Sequence, residues 1–255
     1  MEETVQRVAV ITGAARGIGK AVALQLASDG YAAIIADLRS DAAGETARQM
    51  RESGWVAAAQ DCDVTDPASC DALVAMAVSR FGRLDVLVNS AGISKPCASL
   101  EVTPEDWRNM IGVQLDGVFY CSQSAARQMV SQGRGGCVVN ISSINAEAAF
   151  PHRAAYCAAK AGVQMLTKTL AIEWARYGIR VNAVGPSHTE TEMTLENVRR
   201  GTFSVEEVVK RIPLGRLASV QDVANAVSFL VSDRASFITG QSLYVDGGYL
   251  AYGYL

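Results

Sequence analysis

Tyr156 and Lys160 stand four residues apart, and Ser143 precedes the tyrosine by thirteen. On a helix, positions i and i+4 project from one face. An ammonium there can stabilise a phenolate, turning a weak phenolic acid into a proton donor and acceptor. Tyr/Lys pairs are common on helix surfaces, so this one needs company. It has it in Thr12-Gly-Ala-Ala-Arg-Gly-Ile-Gly19, a glycine-rich turn between an apolar run and a helical pattern. Gly13, Gly17 and Gly19 follow a G-x-x-x-G-x-G spacing. Glycine permits the tight turn and lets a pyrophosphate approach backbone N–H groups at a helix N-terminus, beside Ile18. In isolation a plain strand–helix turn would read the same. Asp37, at the end of the next apolar run, changes that reading. A carboxylate there accepts hydrogen bonds from ribose hydroxyls and repels a 2′-phosphate. The expected cofactor is NAD(H), with NADP(H) possible because Arg16 or Arg39 could pair with a 2′-phosphate. No metal site is expected.

Positioning these residues takes alternating strands and helices. Short apolar runs at Arg7–Thr12, Ala32–Ala36, Trp55–Gln60, Leu84–Asn89, Cys137–Ile141, Arg180–Val184 and Ser242–Val245 read as strands. Helical patterns lie at Ile18–Asp29, Asp41–Ser53, Pro67–Phe81, Ala154–Tyr177 and from Ser219 to about Ser232. Thr103-Pro-Glu-Asp106 reads as a capping box opening one long helix that ends near Gly133–Gly136. The alternation predicts an α/β fold, a single-domain doubly wound parallel sheet of seven strands covered on both faces. Ligands of such sheets gather beyond the carboxyl ends of the strands. The glycines, Asp37, Asp63, Asn89–Gly92, Ser143 and Pro186 all follow strands on that side.

The bulk properties agree. A chain of 255 residues with 49% apolar composition can bury one large core. The net charge of −3, without a basic run, argues against nucleic acid as the main partner, and none is expected. No apolar run approaches the ~18 residues that span a bilayer, so no membrane partner is expected. The acidic Met1-Glu2-Glu3 start lacks the basic region of a secretory signal. Six scattered cysteines without a C-x-x-C pair favour reduced thiols in a cytoplasmic protein.

Taken in order, Thr12–Gly19, Asp63-Val64, Asn89-Ser-Ala-Gly92, Ser142-Ser143, Tyr156-x-x-x-Lys160, Arg180-Val-Asn182 and Asp246-Gly-Gly248 span the chain, which resembles the short-chain dehydrogenase/reductase family. The resemblance implies that Tyr156 exchanges a proton with the substrate oxygen. It gives Lys160 the tasks of lowering the Tyr156 pKa and binding the nicotinamide ribose, and Ser143 that of polarising the carbonyl or hydroxyl while hydride moves to or from nicotinamide C4. Asp63 and Val64 would flank the adenine, and Asn89, Ala91 and Gly92 would line the cofactor. Pro186, Thr189 and Thr191 match the segment that embraces the carboxamide. Three residues depart from the family pattern. Gln114 replaces the Asn of a proton relay, Ser90 replaces a second Asn, and Ser187 replaces the Gly after Pro186.

The segments that would face substrate carry Lys95, Asn145, Glu147, His152, Arg153, Ser187, His188 and Glu192. Such polarity suits a polyol, a sugar or another small hydroxy compound, because buried donors need partners. The equal alternative is that these groups face solvent. Residues 187–213 are expected to form a lid over the substrate. Family resemblance, with the apolar Val223–Leu230 and Leu243–Tyr254 segments, predicts a homotetramer. Two competing functions are an NADPH-linked reductase of 3-oxoacyl thioesters and a nucleotide-sensing regulator without turnover.

Overall fold

The structure is a computed structural model and describes residues 6–253. The acidic start and the final Tyr254-Leu255 lie outside the described residues. The strands are β1 (Val8–Thr12), β2 (Ala32–Asp37), β3 (Ala57–Asp61), β4 (Val86–Asn89), β5 (Gly136–Ile141), β6 (Ile179–Pro186) and β7 (Ser242–Val245). They form one parallel seven-stranded sheet in the order β3-β2-β1-β4-β5-β6-β7. Every residue of β1 and β2 is buried, as a sheet covered on both faces requires. Alternate side chains feed two cores. Ala9, Ile11 and Val88 face the core built with α1 (Gly17–Ser28), α2 (Ser40–Glu52) and α9 (Val220–Val231). Val8, Val10 and Leu87 face the core built with α3 (Pro67–Phe81), α5 (Gly117–Gln132) and α6 (Ala154–Trp174).

Strand order reverses between β1 and β4, and the glycine turn sits at that switch point. Gly13 has φ +63°, and a Cβ on it would lie 2.6 Å from Ala91 Cα. The turn after β1 therefore packs backbone to backbone against the turn after β4. Thr12 Oγ1 locks the two together, accepting from Ser90 N at 3.1 Å and Ala91 N at 3.2 Å.

Two local expectations are corrected. The helix opened by Thr103 is not continuous: α4 (Pro104–Ile111) passes through a π-helical turn at Gly112–Asp116 before α5. Thr103 Oγ1 does accept from Asp106 N at 3.1 Å, but the Asp106 carboxylate binds Lys95 Nζ at 2.6 Å. Ser219 and Asp222 make the full reciprocal box at the start of α9. The segment 187–213 holds two short helices, α7 (Glu192–Arg199), capped by Thr191, and α8 (Val205–Lys210). All six cysteines are free thiols, with Cys70 and Cys121 Sγ atoms 3.2 Å apart between α3 and α5.

Candidate active site

Ser143 lies two residues beyond the end of β5, in an extended conformation, and caps a short 3-10 turn at Ile144–Ala146. Its Oγ accepts from Asn145 N at 3.1 Å and donates to Asn145 Oδ1 at 3.3 Å, so the hydroxyl is held from one side. Tyr156 and Lys160 lie one turn apart on α6, with Lys160 Nζ 5.7 Å from the Tyr156 ring centre. Lys160 is buried and donates to Ile141 O at 2.7 Å, which ties α6 to the end of β5. Burial pulls its pKa down to about 7, since a desolvated ammonium is disfavoured. Burial pushes Tyr156 above the ordinary phenol value, and the Ser143 hydroxyl and the Arg153 guanidinium oppose that rise. Ser142 sits deeper, its N donating to Val184 O at 2.7 Å and its hydroxyl to Lys160 O at 3.5 Å.

Gln114 occupies the π-turn, where one extra residue turns its side chain inward. Its Nε2 donates to Ile93 O at 2.7 Å, while its buried Oε1 has no protein partner among the described residues. A Cβ on Gly92 would sit 3.1 Å from that amide, so Gly92 is the space the longer Gln side chain fills. Asn89 donates to Ser122 Oγ and Asn140 Oδ1, both at 2.8 Å. Asn140 donates in turn to Thr167 Oγ1 at 2.9 Å. This buried polar chain crosses the sheet centre. Its only linear trace is Asn140, a polar residue inside the apolar β5 run.

The nucleotide-side residues meet on the same edge. Asp37 Oδ2 accepts from Ala15 N at 3.0 Å inside the glycine turn. Its Oδ1 accepts from Arg39 N at 3.0 Å and from Arg39 Nε at 3.4 Å. Arg16 Nη1 pairs with Glu192 Oε2 of α7 at 2.5 Å, bridging the glycine turn to the 187–213 segment. Gly17 has φ +57°, and a Cβ on it would lie 3.8 Å from Thr191 Cγ2. A cradle whose glycines a side chain would close, with a carboxylate at its rim, fits a dinucleotide. Ile18 is half-buried in the first turn of α1. Val64 is buried against Gly117, and Asp63 is exposed, accepting from Thr65 N and Oγ1. Pro186 ends β6 and Thr189 Oγ1 donates to Ser187 O at 3.0 Å. Thr191 Oγ1 accepts from Thr194 N at 3.2 Å, so part of its hydroxyl's capacity goes to capping α7.

The substrate-side residues divide. Asn145 reaches Cys157 Sγ at 3.5 Å and stays beside Ser143. His152 is exposed with φ +62°, and its carbonyl accepts from Cys97 N at 3.0 Å, a backbone task at the entry of α6. His188 packs among Phe150, Phe203 and Tyr249, with ring centres 5.0 to 6.1 Å apart. That burial pulls its pKa down to about 4 and leaves Nδ1 without a protein partner among the described residues, as is Ser187 Oγ. The aromatic wall was missed in the linear sequence, since its rings come from three separate segments. Glu147 accepts from Gln164 Nε2 at 2.6 Å and from the Tyr244 hydroxyl at 3.1 Å.

Comparison with known proteins accords with this geometry. The family described as enoyl-(acyl carrier protein) reductase matches residues 13–250. A cis-4-hydroxycyclohexanecarboxylate dehydrogenase of Sinomonas cyclohexanicum is 44% identical over 253 residues, covering 98% of this chain and 99% of the relative. The 3-oxoacyl-acyl-carrier-protein reductase FabG of Staphylococcus aureus is 40% identical, covering 94% of this chain and 96% of the relative. Among solved structures, a gluconate 5-dehydrogenase from Burkholderia cenocepacia, in complex with NADP and tartrate, superposes with a TM-score of 0.92. It is 39% identical and covers 96% of each chain. With its parallel sheet, glycine turn and Ser/Tyr/Lys cluster, the chain belongs to the short-chain dehydrogenase/reductase family and is an oxidoreductase acting on CH–OH groups.

Proposed function

We propose that this protein is an NAD-dependent dehydrogenase that interconverts a secondary alcohol and a ketone on a small polar hydroxy compound. The observation that carries this reading is the convergence of Ser143, Tyr156 and Lys160 beside the glycine cradle, at the one edge where strand order reverses. In this reading Tyr156 gives a proton to, or takes it from, the substrate oxygen. The Ser143 hydroxyl, steadied by Asn145, donates to that oxygen as negative charge develops on it. Lys160 supplies positive charge beside the phenol from a site that excludes water, where the attraction is strongest. When bound, the dinucleotide supplies the hydride acceptor or donor. Gly13, Gly17, Gly19 and Ile18 would form its phosphate cradle. Asp37 would hold the adenosine ribose, and Asp63 and Val64 the adenine edge. Asn89, Ala91, Gly92, Pro186, Thr189 and Thr191 would line its nicotinamide half, and Gln114 would stand behind Gly92.

The preference for NAD over NADP is supported by pairing. The two arginines that could meet a 2′-phosphate are engaged with carboxylates, Arg39 with Asp37 and Arg16 with Glu192. The substrate class is a polyol, a sugar or a related hydroxy compound, met by Ser143, Asn145, His152, Ser187 and His188. The rings around His188 favour a member with a compact ring, in line with the hydroxycyclohexanecarboxylate activity of the Sinomonas relative. The FabG relative supports the second reading, an NADPH-linked reductase of 3-oxoacyl thioesters. We assign residues 187–213 the part of a lid on a single domain, and the reaction to the cytoplasm, where six free thiols persist.

The test is a screen of polyols, sugars, alicyclic hydroxy compounds and 3-hydroxyacyl thioesters with NAD⁺ and NADP⁺, beside Tyr156→Phe. Turnover with NAD⁺ should fall roughly 10²–10⁴-fold in the variant while nucleotide binding persists. Turnover with NADP⁺ alone would refute the cofactor assignment. Full activity in Tyr156→Phe would refute the mechanism.

A further inference from the structure

Of the charged side chains on the segments that face the substrate, most already have opposite charges or hydrogen-bonding partners. Lys95 is paired with Asp106, Glu192 with Arg16, and Glu147 with Gln164 and Tyr244. Arg153 differs. It is only partly exposed, and no carboxylate among the described residues comes within ion-pair distance of it. Its Nη1 donates to the neutral Ser94 Oγ, which also takes a 3.4 Å contact from Asn197 Nδ2 of α7. Removing a guanidinium from water is costly unless an anion or several acceptors replace the solvent. One serine hydroxyl leaves most of its five donors free.

Position gives that free charge a purpose. Arg153 stands three residues before Tyr156, at the N-cap of α6, and Tyr156 lies in the first turn of that helix. They line the same cleft, together with Val102, Met110 and Ala154. The guanidinium is close enough for its charge to act on both Tyr156 and His188. The other ionisable groups of that cleft are Lys95 and Asp106, which neutralise each other, the Cys97 thiol and the exposed His152. The cleft thus carries one uncompensated positive charge beside the proposed proton donor. Arg153 also occupies the N-cap position, where no side chain caps the helix and no acidic residue lies in the first turn.

Resting on the dehydrogenase reading above, we propose that Arg153 binds a carboxylate of the substrate, so that the enzyme selects hydroxy acids over neutral alcohols. The guanidinium fork suits a carboxylate, which accepts two parallel N–H bonds. Anchoring the acid at Arg153 would set the distance from the carboxylate to the carbinol that Tyr156 and Ser143 address. Ser94 holds the fork in place, and Asn197 links that contact to α7 of the lid segment.

Binding can be measured apart from turnover. Calorimetric titration of the NAD-saturated protein with cyclohexanecarboxylate and with cyclohexanecarboxamide should give a roughly 10- to 100-fold preference for the acid. Arg153→Gln should bring the ratio near one, and Arg153→Lys should keep part of it. The ratio of kcat/KM for 4-hydroxycyclohexanecarboxylate over its amide should move in parallel, mainly through KM. Equal binding of acid and amide by the unaltered protein overturns the proposal, and that arm needs no variant to fold. An unchanged ratio in Arg153→Gln overturns it as well. Acid preference without turnover of any alcohol would sustain the anion site and refute the dehydrogenase reading. Turnover of neutral alcohols without acid preference would do the reverse.

Discussion

In its proposed role, Lys160 would serve chemistry at the expense of stability. Its ammonium is desolvated in the fold and faces the Ile141 carbonyl, which compensates only part of the lost hydration. Its pKa falls from 10.5 to about 7. Between those values the unfolded chain holds more protons on this residue than the folded one, so stability rises with pH across that window. Below about pH 7 the full penalty is present. Comparing Lys160→Met with the unaltered protein from pH 7 to 10 should show a steeper pH dependence in the latter. The difference should be on the order of 3–5 kcal/mol across the window. Parallel unfolding curves for the two proteins would mean that Lys160 keeps its charge in the fold. Tyr156 acts in the opposite sense, because its raised pKa favours the protonated phenol and lowers stability only above about pH 10.

Among the elements, the π-turn between α4 and α5 has the clearest consequence. It places Gln114 against Gly92 and Ile93, joining the helix to the turn after β4. Truncating Gln114 to Ala would strand the Ile93 carbonyl and open a cavity where the amide now sits. Urea unfolding should register a loss of about 1–3 kcal/mol. A loss below 0.5 kcal/mol would mean that the turn holds its shape without the amide. Among the described residues, the ion pair between Arg16 and Glu192 is the one that joins the proposed lid to the glycine turn. An exposed pair of this kind contributes at most about 1 kcal/mol, so it can release readily when ligands exchange.

At the scale of the whole molecule, one of the two apolar segments expected to join subunits turns inward. Val223, Val227 and Leu230 of α9 are buried in this chain's own core, packed with α1. The residues left outside are elsewhere. Met165 and Ile172, 61% and 80% exposed, lie seven residues apart on one face of α6, and Phe237 projects fully beside the edge strand β7. An exposed apolar helix face of this sort is usually covered by a partner. We therefore expect copies of the chain to assemble through α6, in keeping with a homotetramer. Light scattering behind size exclusion should show a multimer, and Ile172→Glu should yield smaller species. An unchanged mass in that variant would exclude this face from the assembly.

Much of this was legible along the chain, because it rests on local rules. Strand runs, helix starts and the glycine turn are set by neighbours within a few residues. Parallel βαβ connectivity then brings each strand's carboxyl end to one edge. Asp37 and Ser143 are thereby assigned to that edge from the chain alone, with Tyr156 and Lys160 on the helix that follows β5. The π-turn escaped notice because a single extra residue in a helix leaves no mark in apolar periodicity. α7 was hidden by its mixed polarity, although Thr191 carries its cap. What only the tertiary structure decided are pairings between distant segments: Asn89 with Ser122 and Asn140, His188 with Phe150 and Tyr249, Arg16 with Glu192. A sequence names which groups carry charge or donate hydrogen bonds. Which of them find partners, and which, like Arg153, remain free to meet a ligand, depends on the packing of segments far apart in the chain.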